Sequence, residues 1–593
     1  FPLHMLISKL FSMMPAGEVF FRINLVSAVS AAAGYFFLIV CMPLLISDMR
    51  GGAETLEGGV FSAYFISAAA AGVLLFSSDV FMTHAVSTEI YTLNFLIIGI
   101  LLFLFFSRAA FSNKRLDFLF FFFYGLSAGI HAAPFIAGTI LSLFAVARVF
   151  RERKSLISTL PLYALFFFAG CCVILYLPAA ALRQPLRNWG NPSDFQSLIR
   201  HLTAGRIRES FSGEIGFAGP ETIYWNLNLF ARSLFDRVYA ILPIAFAGLF
   251  YLVRKERTPA FVLLLILIAD MLFSVLINPM GIGDLQTGII SIYIIALLTF
   301  AGTFFICAKT AGMSFLPRTA LKAAPFLLLY GAANASLNDS DRSKNYLPVV
   351  IGEKALNLAG NDSLMLTSSD DLSSIVMALQ IAGGERPDVI HVVKQQINDV
   401  PHIRNLIQKH GKSKFGEDFA KEFDHDGDIL PAERIVPLLE KLLANYEGKD
   451  AGFEIGEGFD RHFFERLKPG FPVFVYNSNI AEEADDMTPP DTPANGVISG
   501  YSAGTDEWGR FFLSEYLRHS AAYFEATGNS GAAVDALRAA IGLNPGNYRA
   551  LNNLGVVLIH QGKTEEGLAK IREAVDIMPL YEKAKKNLVK YGK

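Results

Sequence analysis

IISIYIIALLTFAGTFFIC, residues 289–307, carries no charged side chain and is long enough to cross the apolar layer of a bilayer as a helix. Reading outward from it with the same helix-length window gives about ten candidate spans. They are Ile23–Ile46, Val60–Phe76, Tyr91–Phe106, Leu116–Ile130, Ala132–Ala147, Leu156–Leu177, Val238–Val253, Phe261–Ile277, Ile289–Cys307 and the weaker Ala323–Ala333. The composition agrees: 52% of residues are hydrophobic, 52 are phenylalanine and only 18% are charged. Such values exceed those of a soluble domain, and most of the excess lies before residue 334. The net charge of −3 gives no reason to expect nucleic acid as a partner. Cys41, Cys171, Cys172 and Cys307 all fall in apolar segments, which argues against a zinc site and against a disulfide framework.

Orientation follows from the basic residues of the short loops. Arg108/Lys114/Arg115, Arg148/Arg151/Arg153/Lys154, Arg254/Lys255/Arg257 and Lys309/Arg318/Lys322 fall on one side if every span crosses once, and that side is expected to be the cytoplasm. Ser77–Ile90, Pro178–Arg237, Asn278–Gly288, the Gly129–Pro134 turn, the N-terminal segment and everything after Asn334 are then external. Phe1–Arg22 reads as an amphipathic segment with Leu3, Met5, Leu6, Leu10 and Phe11 available for a membrane surface. An even number of crossings and a start at Phe1 suggest that a further span and most of an external loop precede it.

The external loops hold the polar residues. Asp79, His84, Glu89 and Asn94 lie at one membrane boundary, where an uncompensated charge is costly enough to suggest a role. The plain alternative is that Glu89 is favoured by the dipole of the helix that follows and that Asn94 is merely interfacial. His131 stands in a tight turn between apolar helices, where a satisfied buried histidine is the simpler expectation. Arg183, Arg187, Trp189 and Gly190 open the longest external loop. Arginine forks suit phosphate oxygens and a tryptophan face suits a pyranose, although both residue types also anchor proteins at lipid headgroups. Asp284 lies in another external turn, Asn278–Gln286, that could complete a rim.

Thr88-Glu89-Ile90-Tyr91-Thr92-Leu93-Asn94, Asn188-Trp189-Gly190-Asn191-Pro192, Phe1-Pro2-Leu3 with Arg22–Ala28, and Arg386-Pro387-Asp388-Val389 together resemble a bacterial membrane family long called a domain of unknown function (DUF2723-type). That family is related to a eukaryotic protein O-mannosyltransferase and is grouped as glycosyltransferase family 117. The resemblance covers most of Phe1 to about Gln395, and the Glu-Ile-Tyr-Thr-Leu-Asn block is its most specific element. It implies a GT-C membrane fold that moves a sugar from a polyprenyl-phosphate donor to a protein or envelope acceptor on the extracytoplasmic face. It also implies a catalytic carboxylate in a first external loop, which would lie upstream of Phe1. The family tends to have an acidic residue where Asn188 and Asn191 stand, so the resemblance carries no acid role over to that loop. Glu89 carries over as the catalytic candidate, with Trp189 and Gly190 as site residues. Arg183 and Arg187 are the expected partners of the leaving phosphate, and His84, Asn94, His131 and Asp284 complete the binding set. The donor sugar-lipid is the only small-molecule requirement implied, and nothing in the spacing dictates a metal.

Beyond the spans, apolar runs at Leu364–Leu366, Val389–Val393 and Val473–Tyr476 alternate with helical patterns such as Leu372–Ile381, as in a small α/β domain. Asp424-His425-Asp426-Gly427-Asp428 resembles a calcium loop, but its glycine comes two places early and position twelve is Ile435, so a solvated turn is expected. Ala481–Pro493 is an acidic linker with prolines. Gly528 recurs as Gly562, Leu537 as Ile571, Ala540 as Ala574 and Pro545 as Pro579, a 34-residue period that belongs to tetratricopeptide (TPR) hairpins. Two hairpins, Ser514–Pro545 and Asn547–Pro579, and a closing helix from Leu580 form too short an array to stand alone, so it should lean on the preceding domain or on another chain.

The fold expected is therefore mainly α: a polytopic GT-C-like membrane domain (1–334), an extracytoplasmic α/β domain (335–480), a linker (481–510) and tetratricopeptide repeats (511–593). The function expected is that of a membrane glycosyltransferase in a bacterial inner membrane with periplasmic soluble domains, its repeats recruiting protein partners. The alternatives are a non-catalytic scaffold for envelope polysaccharide assembly and a lipid-sugar transporter, the latter disfavoured by the scarcity of charges within the spans.

Overall fold

The computed structural model describes residues 1–46, 58–111, 113–151, 156–185, 188, 190–203, 205, 219–255, 257–277, 288–310, 313–340, 346–425, 427, 429–456, 458–477 and 507–592. They form two compact units, the first comprising Phe1–Leu182 and Pro192–Arg342 and the second Arg183–Asn191 and Ser343–Lys593.

Among the described residues of the first unit, seven helices are long and apolar enough to cross a membrane: Val19–Leu45, Val60–Ser77, Tyr91–Phe111, Ala132–Arg151, Thr159–Ala181, Arg257–Ile277 and Ile289–Lys309. Three expected spans are not among them. Leu116–Ile130 is the 13-residue helix Arg115–Ser127, and Val238–Val253 is the 14-residue helix Leu242–Lys255. At about 1.5 Å per residue these reach roughly 20 Å, short of a hydrocarbon layer about 30 Å thick. Ala323–Ala333 lies within Phe315–Ser340, which is long enough but too polar at its two ends.

Burial ranks the helices. Ile289–Lys309 is 89% buried over its apolar window, Tyr91–Phe111 is 72% buried and Thr159–Ala181 only 17%. The first two are therefore the inner helices and the last is peripheral. Phe36, Phe61, Phe65, Phe168 and Phe246 point outward, a position that would cost nothing against lipid tails.

The inner helix Ile289–Lys309 meets the short helix Leu242–Lys255 backbone to backbone. A Cβ on Gly302 would lie 1.9 Å from the Ile244 carbonyl oxygen, and one on Gly248 would lie 1.9 Å from that of Leu298. Small residues permit such close approach, and dispersion contacts between the two backbones then hold the crossing. Gly302→Leu is expected to cost about 3 kcal/mol or more by forcing the helices apart. Thermal melting of the detergent-solubilised protein should show the loss, and Phe246→Leu on the outer face of the same short helix should melt like wild type.

The second unit is built on a five-stranded sheet: β1 (Leu364–Thr367), β2 (Ile390–Val393), β3 (Ala451–Phe453), β4 (Leu467–Lys468) and β5 (Phe474–Tyr476), in the order β2-β1-β3-β5-β4. β1 pairs in parallel with β2 and β3, while β5 runs antiparallel to β3 and β4. β1, β2 and β3 are buried throughout, as continuous apolar runs in a parallel sheet require. The chain leaves β1 for β2 on one side and returns to β3 on the other, so the order reverses between β1 and β3. Open α/β sheets place ligands at such a point. Here it is filled by the chain itself: the Glu454 carboxylate accepts hydrogen bonds from the backbone N–H groups of Ser368 (2.5 Å) and Ser369 (2.9 Å), at the start of helix Asp370–Ala378. Burial pushes the Glu454 carboxyl above its ordinary value although these donors oppose the shift. Beside it Lys394, wholly buried, donates to the Glu454 carbonyl at 2.5 Å and to the buried Asp460 at 2.6 Å, and stands over the Phe453 ring at 4.0 Å.

Helices Glu507–Ala526, Ser530–Leu543, Tyr548–His560, Thr564–Ile577 and Glu582–Tyr591 follow. Asn529 and Asn547 accept from Ala532 and Ala550 N–H groups to start the second and third. The first begins seven residues before the hairpin expected from the sequence (514 − 507). It packs on the sheet, with the Trp508 indole donating to Asp371 at 2.8 Å and the Tyr523 hydroxyl to the Leu467 carbonyl at 2.9 Å. Asp426 and Asp428 and all of Ala481–Pro493 lie outside the described residues.

Candidate functional site

Four of the residues singled out from the sequence belong to the first unit and cluster around one helix start. Ser78 caps the short helix Asp79–Val86, its hydroxyl accepting from the Phe81 N–H at 3.3 Å, and this helix carries His84. Three residues later the chain is turned by Ser27, whose hydroxyl contacts the Glu89 carbonyl at 3.1 Å and the Glu89 N–H at 3.3 Å. Ile90 then starts Tyr91–Phe111, accepting from the Asn94 N–H at 3.1 Å. Glu89 is thus pinned by its backbone between two helices while its side chain remains exposed.

The two expectations for Glu89 differ in sign. A carboxylate governed by a helix N-terminus is held below its ordinary pKa, whereas one governed by desolvation is raised. The Glu89 carboxyl is raised: surrounding protein desolvates it, and the opposing hydrogen bond from the Ile90 N–H is the smaller influence. Water still reaches the group, as an acceptor hydroxyl could.

Rings extend from this point. His84 and Tyr91 lie 4.6 Å apart between centroids, and Tyr91 and His131 lie 6.0 Å apart. The His131 Nδ1 accepts from the Ala133 N–H at 3.3 Å, which leaves the proton on Nε2. Burial lowers its pKa to about 4, so the ring is neutral near pH 7. Asn94, 1% exposed, has a buried Oδ1 with no hydrogen-bond partner, a costly condition in an apolar bundle and one that a bound polar group would relieve.

The other residues fall elsewhere. Arg183 and Gly190 belong to the second unit, where the Pro185 carbonyl accepts from Asn405 at 3.3 Å and Asn188 is buried, its amide donating to Asn191 at 2.8 Å. Arg187, Trp189 and Asp284 lie outside the described residues.

Among the described residues of the first unit, two sets of buried charged groups were missed from sequence. Asp270, inside the span Arg257–Ile277 and 7% exposed, accepts from the Ser291 N–H (3.0 Å) and hydroxyl (2.6 Å), closing the start of Ile289–Lys309. Its signal was a lone carboxylate in an apolar helix. Asp117 accepts from Arg108 Nε and the Tyr163 hydroxyl, both at 2.9 Å, with Arg148 Nη1 3.8 Å away. Arg108 and Arg148 were counted as loop charges in assigning orientation. Arg108 is 4% exposed and serves the interior, so it carries less of that argument than Lys114 or Arg115. Asp117 is balanced by arginine and Asp270 is hydrogen-bonded by Ser291, as buried polar groups require. Among the described residues, no group of three His, Cys, Asp or Glu side chains is placed to hold a metal ion.

These helices define a polytopic helical membrane protein. Residues 1–158 match the family model of the N-terminal domain of the protein O-mannosyl-transferase TMEM260, which supports an O-mannosyltransferase-like membrane family and suggests a membrane glycosyltransferase. The match spans about a quarter of the chain and includes Glu89, His84, Asn94 and His131. No curated protein sequence matches.

Proposed function

We propose that the protein transfers a mannosyl-type sugar from a polyprenyl-phosphate donor to a hydroxyl of a protein or envelope acceptor on the extracytoplasmic face of a bacterial inner membrane. The observation that carries this reading is the desolvated yet accessible carboxylate of Glu89 at a membrane-helix start, inside the matched region. A carboxyl raised above its ordinary value is better suited to accept a proton than an ordinary surface glutamate. In the proposed step Glu89 takes the acceptor hydroxyl proton, the acceptor oxygen bonds to the anomeric carbon, and the bond from that carbon to the phosphate oxygen breaks with its electron pair going to the phosphate. The neutral His131 offers an Nε2–H, and Asn94 offers a carbonyl for a sugar hydroxyl. The five helices after residue 506 are read as tetratricopeptide hairpins that recruit partners, and the sheet as a small α/β domain of the same extracytoplasmic side.

Sidedness is tested by single cysteines in intact cells and inverted vesicles. With Arg115–Ser127, Leu242–Lys255 and Phe315–Ser340 also crossing, as the alternation of the loop charges calls for, a cysteine at Asn113 should react with a membrane-impermeant maleimide only from the cytoplasm, and one at Lys563 only from outside. Labelling of Lys563→Cys from the cytoplasm alone would overturn the external assignment.

A further inference from the structure

The spans Ala132–Arg151 and Arg257–Ile277 of the first unit pack against each other in opposite directions. Two ring contacts fix their register: His131 with Phe273 at 5.9 Å near one end, and Phe144 with Phe261 at 6.3 Å between three and four turns further along. One turn beyond the second contact, Arg148 comes level with Arg257, and Arg151 follows Arg148 on the same side of its helix. Three guanidinium groups therefore gather at the end of the bundle opposite Glu89, about 25 Å along the helix from His131. Little of this charge is answered within the protein. Asp117 Oδ2 is taken by Arg108 and Tyr163. Its Oδ1 lies 3.8 Å from Arg148 Nη1, too far for a hydrogen bond, and that buried nitrogen has no hydrogen-bond partner. Arg148 is steadied instead by the Phe105 ring, whose centroid lies 5.0 Å from its guanidinium carbon.

Charge decides the ligand's sign. Arg151 and Arg257 are exposed, and neither has an ion-pair partner among the described residues. The adjoining chain is basic as well: residues 148–154 hold four basic side chains and one acidic, and residues 254–257 three basic and one acidic. Like charges brought level across a helix seam repel unless an anion stands between them. Position decides the ligand's class. Leu143 and Phe150 on one helix and Phe261 and Leu264 on the other are exposed, so the arginines stand at the end of an apolar surface that both helices present. A soluble anion would meet the arginines and leave that surface unused. A phospholipid meets both, its phosphate on the arginine forks and its acyl chains along the exposed side chains.

We propose that Arg148, Arg151 and Arg257 bind the phosphate of an anionic diacyl phospholipid seated at the seam between these two spans. The site is remote from Glu89, so its test needs no sugar donor. The full chain in detergent is titrated with phosphatidylglycerol and with phosphatidylcholine of the same acyl chains, and bound lipid is counted by native mass spectrometry. The anionic lipid should bind roughly tenfold more tightly, as expected for charge-assisted hydrogen bonds. Arg151→Gln and Arg257→Gln, both at exposed positions, should each weaken its binding by about fivefold, the effect of one basic residue at an anionic surface. Their melting temperatures in lipid-free detergent should match wild type. Lys309→Gln, at an exposed position on the same end of another span, should leave lipid binding unchanged. Equal binding of the two lipids, no loss in the Arg151→Gln/Arg257→Gln double variant, or an equal loss in Lys309→Gln would each overturn the proposal. So would displacement of the phospholipid by inorganic phosphate or by a polyprenyl phosphate at equal concentration.

Discussion

Glu89→Gln is expected to lower sugar transfer by roughly 10²-fold or more while leaving the protein folded. Glutamine keeps the size of the side chain and can still meet the Ile90 N–H, but it cannot take a proton. The clamp that positions residue 89 runs through its backbone to Ser27, so the substitution leaves it untouched. The assay is product formation by membranes supplied with a polyprenyl-phosphate sugar, with expression and melting measured alongside. The pH profile gives an independent readout. Because the Glu89 carboxyl is raised, the acid limb of wild-type activity should be displaced upward from an ordinary glutamate's, and the residual activity of Glu89→Gln should lack that limb. Equal turnover in variant and wild type would remove Glu89 from the chemistry. No turnover by either, across the plausible donors, would favour a non-catalytic scaffold.

The largest stability effect is expected in the second unit at Lys394. Both it and Asp460 are wholly buried, and the pair is 2.6 Å apart. Lys394→Met removes the cation that balances the carboxylate, and a neutral donor such as the Gly456 N–H at 2.8 Å does not replace it; an uncompensated buried charge costs about 3–5 kcal/mol. Asp460→Leu alone should cost a similar amount through the stranded ammonium. The double variant should recover much of the loss, since replacing both charges by apolar groups of similar volume is often close to neutral. Urea unfolding followed by the fluorescence of Trp508, which donates to Asp371 beside the sheet, reads this unit once Trp189 and Trp225 are replaced by phenylalanine. Additive losses in the double variant would show that the two groups act separately.

Much of the membrane unit could be read from the chain because hydropathy is a local property. Ile289–Cys307 needs no partner to be recognised as a span, and neither does the 34-residue recurrence of Gly528 and Pro545. Glu89 was singled out by its own motif. The number of spans was less legible, since the window cannot tell a 13-residue helix such as Arg115–Ser127 from one that continues. The strand β3 was invisible, as Ala451–Phe453 is three residues long with a glycine at its centre.

What the sequence by itself determined is which segments are apolar enough to enter a bilayer, which repeat, and which polar residues stand at their boundaries. Tertiary structure alone decided the rest. Whether Glu89 is raised by burial or lowered by the helix after it depends on how much protein surrounds it. Arg183–Asn191 joins the second unit although membrane-unit sequence flanks it on both sides. Lys394 finds Asp460, Asp270 finds Ser291, and Gly302 meets Ile244 across separations that no sequence window relates. Pairing and desolvation are properties of the space around a group, and that space is set by whichever distant segments pack against it.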